Sequence, residues 1–87
     1  MLLIDKKNHL IYNWLGRCYF ALQKYSLAIE NFKKAIELAN EAQDYYDIAM
    51  AYYQSGNINE AKKCLIQCKL LDSSFSARVD ERLKLIY

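Results

Sequence analysis

The side chains with chemical reach in this chain are few and poorly grouped for catalysis. Cys64 and Cys68 stand four residues apart, which puts two thiols on one face of a helix. A zinc ion asks for four ligands, and the only histidine, His9, is remote in sequence. Three cysteines, the third being Cys18, are an odd count that argues for a reducing compartment and against a disulfide framework. Cys18 and Cys68 read as small core hydrophobes, with Cys64 partly exposed. Asp44 and Asp47 lie on one helix, but the preference for acid in a first helical turn accounts for them. There is no Gly-rich phosphate loop and no nucleophile set beside a base. The expectation is therefore no catalytic residue, no metal, no cofactor and no enzymatic activity.

What remains is the chemistry of surfaces. The formal charge is +2, and the basic residues are spread out, with pairs only at Lys6-Lys7, Lys33-Lys34 and Lys62-Lys63. Those pairs read as solvated helix faces, so no nucleic-acid partner is expected. Met1-Leu2-Leu3-Ile4 is too short for a signal-peptide core or a membrane span, and the chain reads as cytoplasmic with no membrane partner. Eight tyrosines suit half-buried walls and interfaces, because each combines apolar area with a hydroxyl that needs a partner.

These surfaces must be carried by helices. Proline is absent and glycine occurs only at Gly16 and Gly56. The apolar residues recur at three- and four-residue steps in five segments. The first runs from an N-cap at Asn8 to Leu22, with Ile11, Tyr12, Leu15, Cys18, Tyr19 and Leu22 on its stripe. The second runs from Tyr25 to Ala39, and Asn40 suits a left-handed stop. The third runs from Ala42 to Ser55 and ends at Gly56. Asn57 and Glu60 form a capping-box pattern before a fourth helix that reaches Leu71. Asp72-Ser73-Ser74 breaks the chain and caps a fifth helix over 75–87, whose stripe of Phe75, Val79, Leu83 and Ile86 is backed by charge.

The segments echo one another. A shift of 33 residues carries Leu15 to Ile48, Gly16 to Ala49, Tyr19 to Tyr52, Ala28 to Ala61, Phe32 to Leu65 and Ala35 to Cys68. Large falls on large and small on small, as in a stacked helical array. Gly16 with Ala28, and Ala49 with Ala61, give two antiparallel helix pairs the low-profile surfaces they need to approach closely.

The pattern resembles the tetratricopeptide repeat. The first copy supplies Tyr12, Leu15, Gly16, Tyr19, Ala28, Phe32 and Ala35; the second supplies Tyr45, Ile48, Ala49, Tyr52, Gly56, Ala61, Leu65 and Cys68. The family's turn glycine is Gln23 in the first copy, its Leu-Gly pair is Ile48-Ala49 in the second, and its customary proline is missing. The first copy is also a residue shorter than the usual length of about 34. The resemblance implies an all-α fold of helix-turn-helix repeats stacked as a short right-handed superhelical solenoid. It divides a single domain over 1–87 into the remnant of a preceding helix (1–7), repeat 1 (8–40), repeat 2 (41–73) and a capping helix (74–87). Met1 to Asp5 look like the last turn of an earlier repeat.

Family resemblance further implies a concave groove lined by the first helix of each repeat. Its positions here are Asn13, Arg17, Phe20 and Ala21 from the first copy, and Tyr46, Met50, Tyr53 and Gln54 from the second. This mixture suits a protein or peptide partner. Some family members clamp a terminal carboxylate with Lys and Asn. Here the matching places hold Asn13, Arg17 and Asp47, so that mode is disfavoured. Two expectations stand side by side. One is an interaction module that holds a peptide or helix in the groove, unless the fifth helix covers it. The other is an assembly element that self-associates, or stacks on flanking repeats, through its ends at Met1 to Ile4 and the fifth helix.

Overall fold

The computed structural model describes residues 8–86, which are helical apart from short turns; among them there is no strand. The elements are α1 (His9–Ala21), α2 (Tyr25–Leu38), α3 (Ala42–Gln54), α4 (Ile58–Leu71), a 3-10 turn (Ser73–Phe75) and α5 (Ser76–Ile86). The reading of Met1 to Asp5 as the end of an earlier repeat lies outside the described residues, as does Tyr87. Helices α1 and α2 form one antiparallel hairpin and α3 and α4 a second, with α2 packed on α3 and α5 on α4.

Both hairpins turn in the same way. Lys24 N–H donates to Tyr19 C=O (2.9 Å) and Gln23 N–H to Phe20 C=O (2.9 Å); 33 residues on, Asn57 donates to Tyr52 (2.8 Å) and Gly56 to Tyr53 (3.1 Å). This is the Schellman closure, which needs one residue in the left-handed region. Gly56 takes it at φ 91°, and in the first hairpin Gln23 takes it at φ 63°. The left-handed stop expected at Asn40 is therefore not there. The chain leaves α2 through extended backbone at Ala39, and Asn40 Oδ1 accepts from the Tyr45 hydroxyl at 2.8 Å. Asn8 and Asn57 make no side-chain capping bond, so the capping box is not formed. Asp72 does cap, accepting from Ser74 N–H at 3.0 Å as the chain enters the 3-10 turn.

The core follows the small-and-large alternation. One cluster joins the two hairpins through Ala28, Phe32, Ile48, Ala51, Tyr52 and Ala61. A second closes the far end through Ala42, Ala49, Leu65, Cys68 and Val79, with Phe75, Leu83 and Ile86 packed against it. A Cβ added to Gly16 would fall 2.5 Å from the Phe32 ring, so that glycine is the space Phe32 occupies. Cys18 corrects the expectation of a buried position. It is exposed, as is much of the stripe around it, because the outer side of α1 meets no described helix.

Candidate functional site: the concave inter-repeat groove

Across the joint between α1 and α3 runs a polar ladder. Asn13 Nδ2 donates to Asp44 Oδ1 (2.6 Å) and to Asp47 Oδ2 (2.9 Å). Arg17 reaches the same Asp47 oxygen through Nη2 (3.1 Å) and Nε (3.3 Å), and Gln43 Nε2 donates to Asp47 Oδ1 (3.0 Å). One carboxylate thus receives four donors from two helices, and the hairpins are held in register by charge-assisted bonds. Asp44 lies deeper. Burial raises its carboxyl above the usual carboxylate range, against the opposing effects of the Asn13 hydrogen bond and the nearby His9. Its Oδ2 and His9 Nδ1, 3.8 Å apart, are both buried without a hydrogen-bond partner.

Asn13 accordingly takes a different place from the one expected of it. It is buried in the joint, where both amide protons are spent on Asp44 and Asp47, and it is not presented to a ligand. Beside the joint a cavity of about 330 Å³ opens, lined by Arg17, Phe20, Phe32, Asp47, Met50, Gln54 and Arg82. Phe32 forms its buried apolar floor, and Phe20, held edge-on by Tyr25 with ring centres 5.5 Å apart, forms one wall. Arg17 and Met50 face the same space from α1 and α3. Ala21, one residue beyond Phe20, is exposed and does not line it.

The fifth helix closes one end of this space. Arg82 Nε donates to the Tyr46 hydroxyl at 3.2 Å, and the Tyr46 ring stacks at a tilt on Phe75 with centres 6.1 Å apart. Arg82, Leu85 and Ile86 enclose a small space with Met50 and Tyr53. Tyr46 and Tyr53 therefore belong to the contact with α5, whereas Gln54 remains on the open side. Two residues that line this cavity are not among the groove positions the family pattern implies, Phe32 and Arg82. The 3.6-residue period assigns Phe32 to the core, and Arg82 enters from a helix outside the repeats. The charged backing of α5 beside the tyrosines of α3 was the available signal for Arg82.

Among the described residues no group of three or more His, Cys, Asp or Glu side chains could hold a metal ion, and no helix is long and apolar enough to cross a membrane. Comparison with known families gives two matches to models of the tetratricopeptide repeat, over residues 9–41 and 43–75. No curated protein matches the chain. Repeats of this kind generally mediate protein–protein interaction or scaffolding and are typically non-catalytic.

Proposed function

The chain belongs to the tetratricopeptide repeat family, and on that premise we propose that it is an interaction module that seats a segment of a partner protein in the groove between α1, α3 and α5. The working unit is taken as two hairpins, 8–40 and 41–73, closed by the helix that follows. The observation that carries this reading is the roughly 330 Å³ cavity, which combines an apolar floor with guanidinium groups from two different helices. A buried apolar anchor surrounded by placed polar groups is how a peptide gains both affinity and orientation. Arg17 is held by Asp47 and lends direction more than free charge. Arg82 spends one N–H on the Tyr46 hydroxyl and keeps donors for a carboxylate or carbonyl. The partner segment that fits is a bulky apolar residue next to an acidic one.

Replacing Tyr46, Met50 or Tyr53 would loosen α5 as well as alter the groove, so Phe20 and Gln54 are the cleaner probes. Peptides selected from a displayed random library should bind the wild-type chain and lose at least tenfold in affinity to a Phe20→Ala, Gln54→Ala double variant of unchanged helicity. Selected peptides that bind that variant as well as wild type would contradict the groove assignment.

A further inference from the structure

Helix α1 has a second face that the groove does not use. Leu10, Ile11, Trp14, Leu15, Cys18 and Leu22 recur at helical steps, and all six are exposed. Trp14 is 72% exposed and Leu10 64%. The first five line a shallow cavity of about 300 Å³ to which no other helix contributes. A continuous apolar stripe of this kind marks a contact surface.

The repeat itself restricts what can cover it. A shift of 33 residues turns Ile11, Trp14, Leu15 and Cys18 into Asp44, Asp47, Ile48 and Ala51. Those four make the internal joint: Ile48 and Ala51 are buried in the core with Phe32, while Asp44 and Asp47 are held by Asn13 and Arg17. That joint is half polar. On α1 the two acidic places are Ile11 and Trp14, so the face needs apolar groups where Asn13 and Arg17 stand. The same shift turns Asn13 and Arg17 into Tyr46 and Met50, which would suit it. In this chain, however, α5 already lies against both, and the exposed residues of α5 are mostly charged, Arg78, Asp80, Glu81 and Lys84, with Leu85 the one large apolar side chain among them. Head-to-tail stacking would lay an uncharged stripe on a mostly charged helix with a single exposed leucine. Elsewhere the exposed apolar side chains are sparser, chiefly Ile66, Leu70 and Leu71 on α4 and Leu85 on α5, so the surface that matches the α1 face in extent is the α1 face of another copy.

We propose that this face is the interface of a symmetric homodimer, with α1 packed antiparallel on α1 of a second copy and Trp14 near the twofold axis. Such a contact is self-complementary and closes on itself, so it ends at two copies. With side chains of about 200 Å² each, the exposed stripe amounts to roughly 600 Å² per copy, or about 1,200 Å² in all, the lower end of specific interfaces. The dimer does not depend on the groove reading and leaves both grooves open, so each assembly would present two partner sites.

Trp14 is the sole tryptophan and so reports directly on the contact. In sedimentation equilibrium of the full chain, the mass should rise with concentration to that of two copies. Trp14 emission should shift to the blue with the same midpoint, and alkylation of the exposed Cys18 should slow in parallel. Leu15→Arg and, separately, Trp14→Glu place like charges face to face across a twofold. Each should weaken association about a hundredfold or more while leaving far-ultraviolet circular dichroism unchanged, because neither side chain is buried in the single chain. Three outcomes would each overturn the proposal. One is a monomer with solvent-exposed Trp14 at every soluble concentration, which leaves the face to an additional repeat. The second is a monomer with shielded Trp14, which assigns the face to residues 1–7. The third is a dimer indifferent to both substitutions.

Discussion

The pairing of Gly16 with Phe32 makes a sharp energetic prediction, because repeat 2 has solved the same packing problem differently. A Cβ on Gly16 would approach three Phe32 ring atoms to 2.5, 2.6 and 2.9 Å, and that ring is 1% exposed in the main core. Overpacking of this kind costs about 1–3 kcal/mol. An approach this close to three atoms of a rigid aromatic ring puts Gly16→Ala near the upper end, against a gain of about 1 kcal/mol in helix propensity. The net expectation is a loss of about 2 kcal/mol, which for a domain of this size lowers the melting temperature by about 10 °C. In repeat 2 the equivalent pair is Ala49 with Leu65, a larger residue facing a smaller one. Phe32→Leu alone should cost about 1–2 kcal/mol through the space it leaves. In the Phe32→Leu background Gly16→Ala should cost only about 0.5 kcal/mol, a favourable coupling of about 1.5 kcal/mol or more. Urea denaturation followed by circular dichroism at 222 nm measures all three. A Gly16→Ala chain as stable as wild type, or a double variant whose losses simply add, would refute the reasoning.

Other expectations rest on single features. Gln23 holds a left-handed φ of 63°, so Gln23→Gly should raise stability by about 1 kcal/mol, read as a shift in urea midpoint at constant slope. Burial raises the Asp44 carboxyl, so the folded chain holds that proton more tightly than the unfolded one. Its contribution therefore weakens stability as pH rises from the unfolded value of 3.8 through the higher folded one. Asp44→Asn keeps an oxygen for Asn13 and offers an amide to His9 Nδ1, and should stabilise the fold by about 1 kcal/mol at pH 8. A measured loss of that size at pH 8 would contradict it. The Cys64 and Cys68 thiols are each pushed up by burial to about 11, which leaves about one thiolate in a thousand at pH 8. Both should resist alkylation, counted by mass spectrometry, until the chain is denatured.

Much of the fold was legible because a helical array is built from local contacts that repeat. The 33-residue echo marks the same small positions, Ala28 with Ala61, that line the helix pairs, and the same turn closes at Gln23 and Gly56. Helical periodicity says which face of a helix is apolar, but not whether anything lies opposite. For that reason the period places Cys18 and Leu22 on a packed stripe although they face outward, and it does not distinguish the exposed Trp14 beside them. Asn13 occupies a groove position by family pattern, yet its role is set by Asp44 and Asp47 more than 30 residues away. The mismatch between Ile11 with Trp14 and Asp44 with Asp47 under the 33-residue shift was the visible sign that the two copies face different neighbours. The end of the groove was least legible, since it depends on how α5 docks against Tyr46 and Tyr53.

The groove is tested most directly by nuclear magnetic resonance of the labelled chain titrated with a selected peptide that carries an apolar residue beside an acidic one. Amide and side-chain shifts should concentrate at Arg17, Phe20, Met50, Gln54 and Arg82, with the Trp14 indole signal unmoved. Shifts centred on Trp14 and Leu10, or confined to the backs of α2 and α4, would contradict the assignment of partner binding to the concave face.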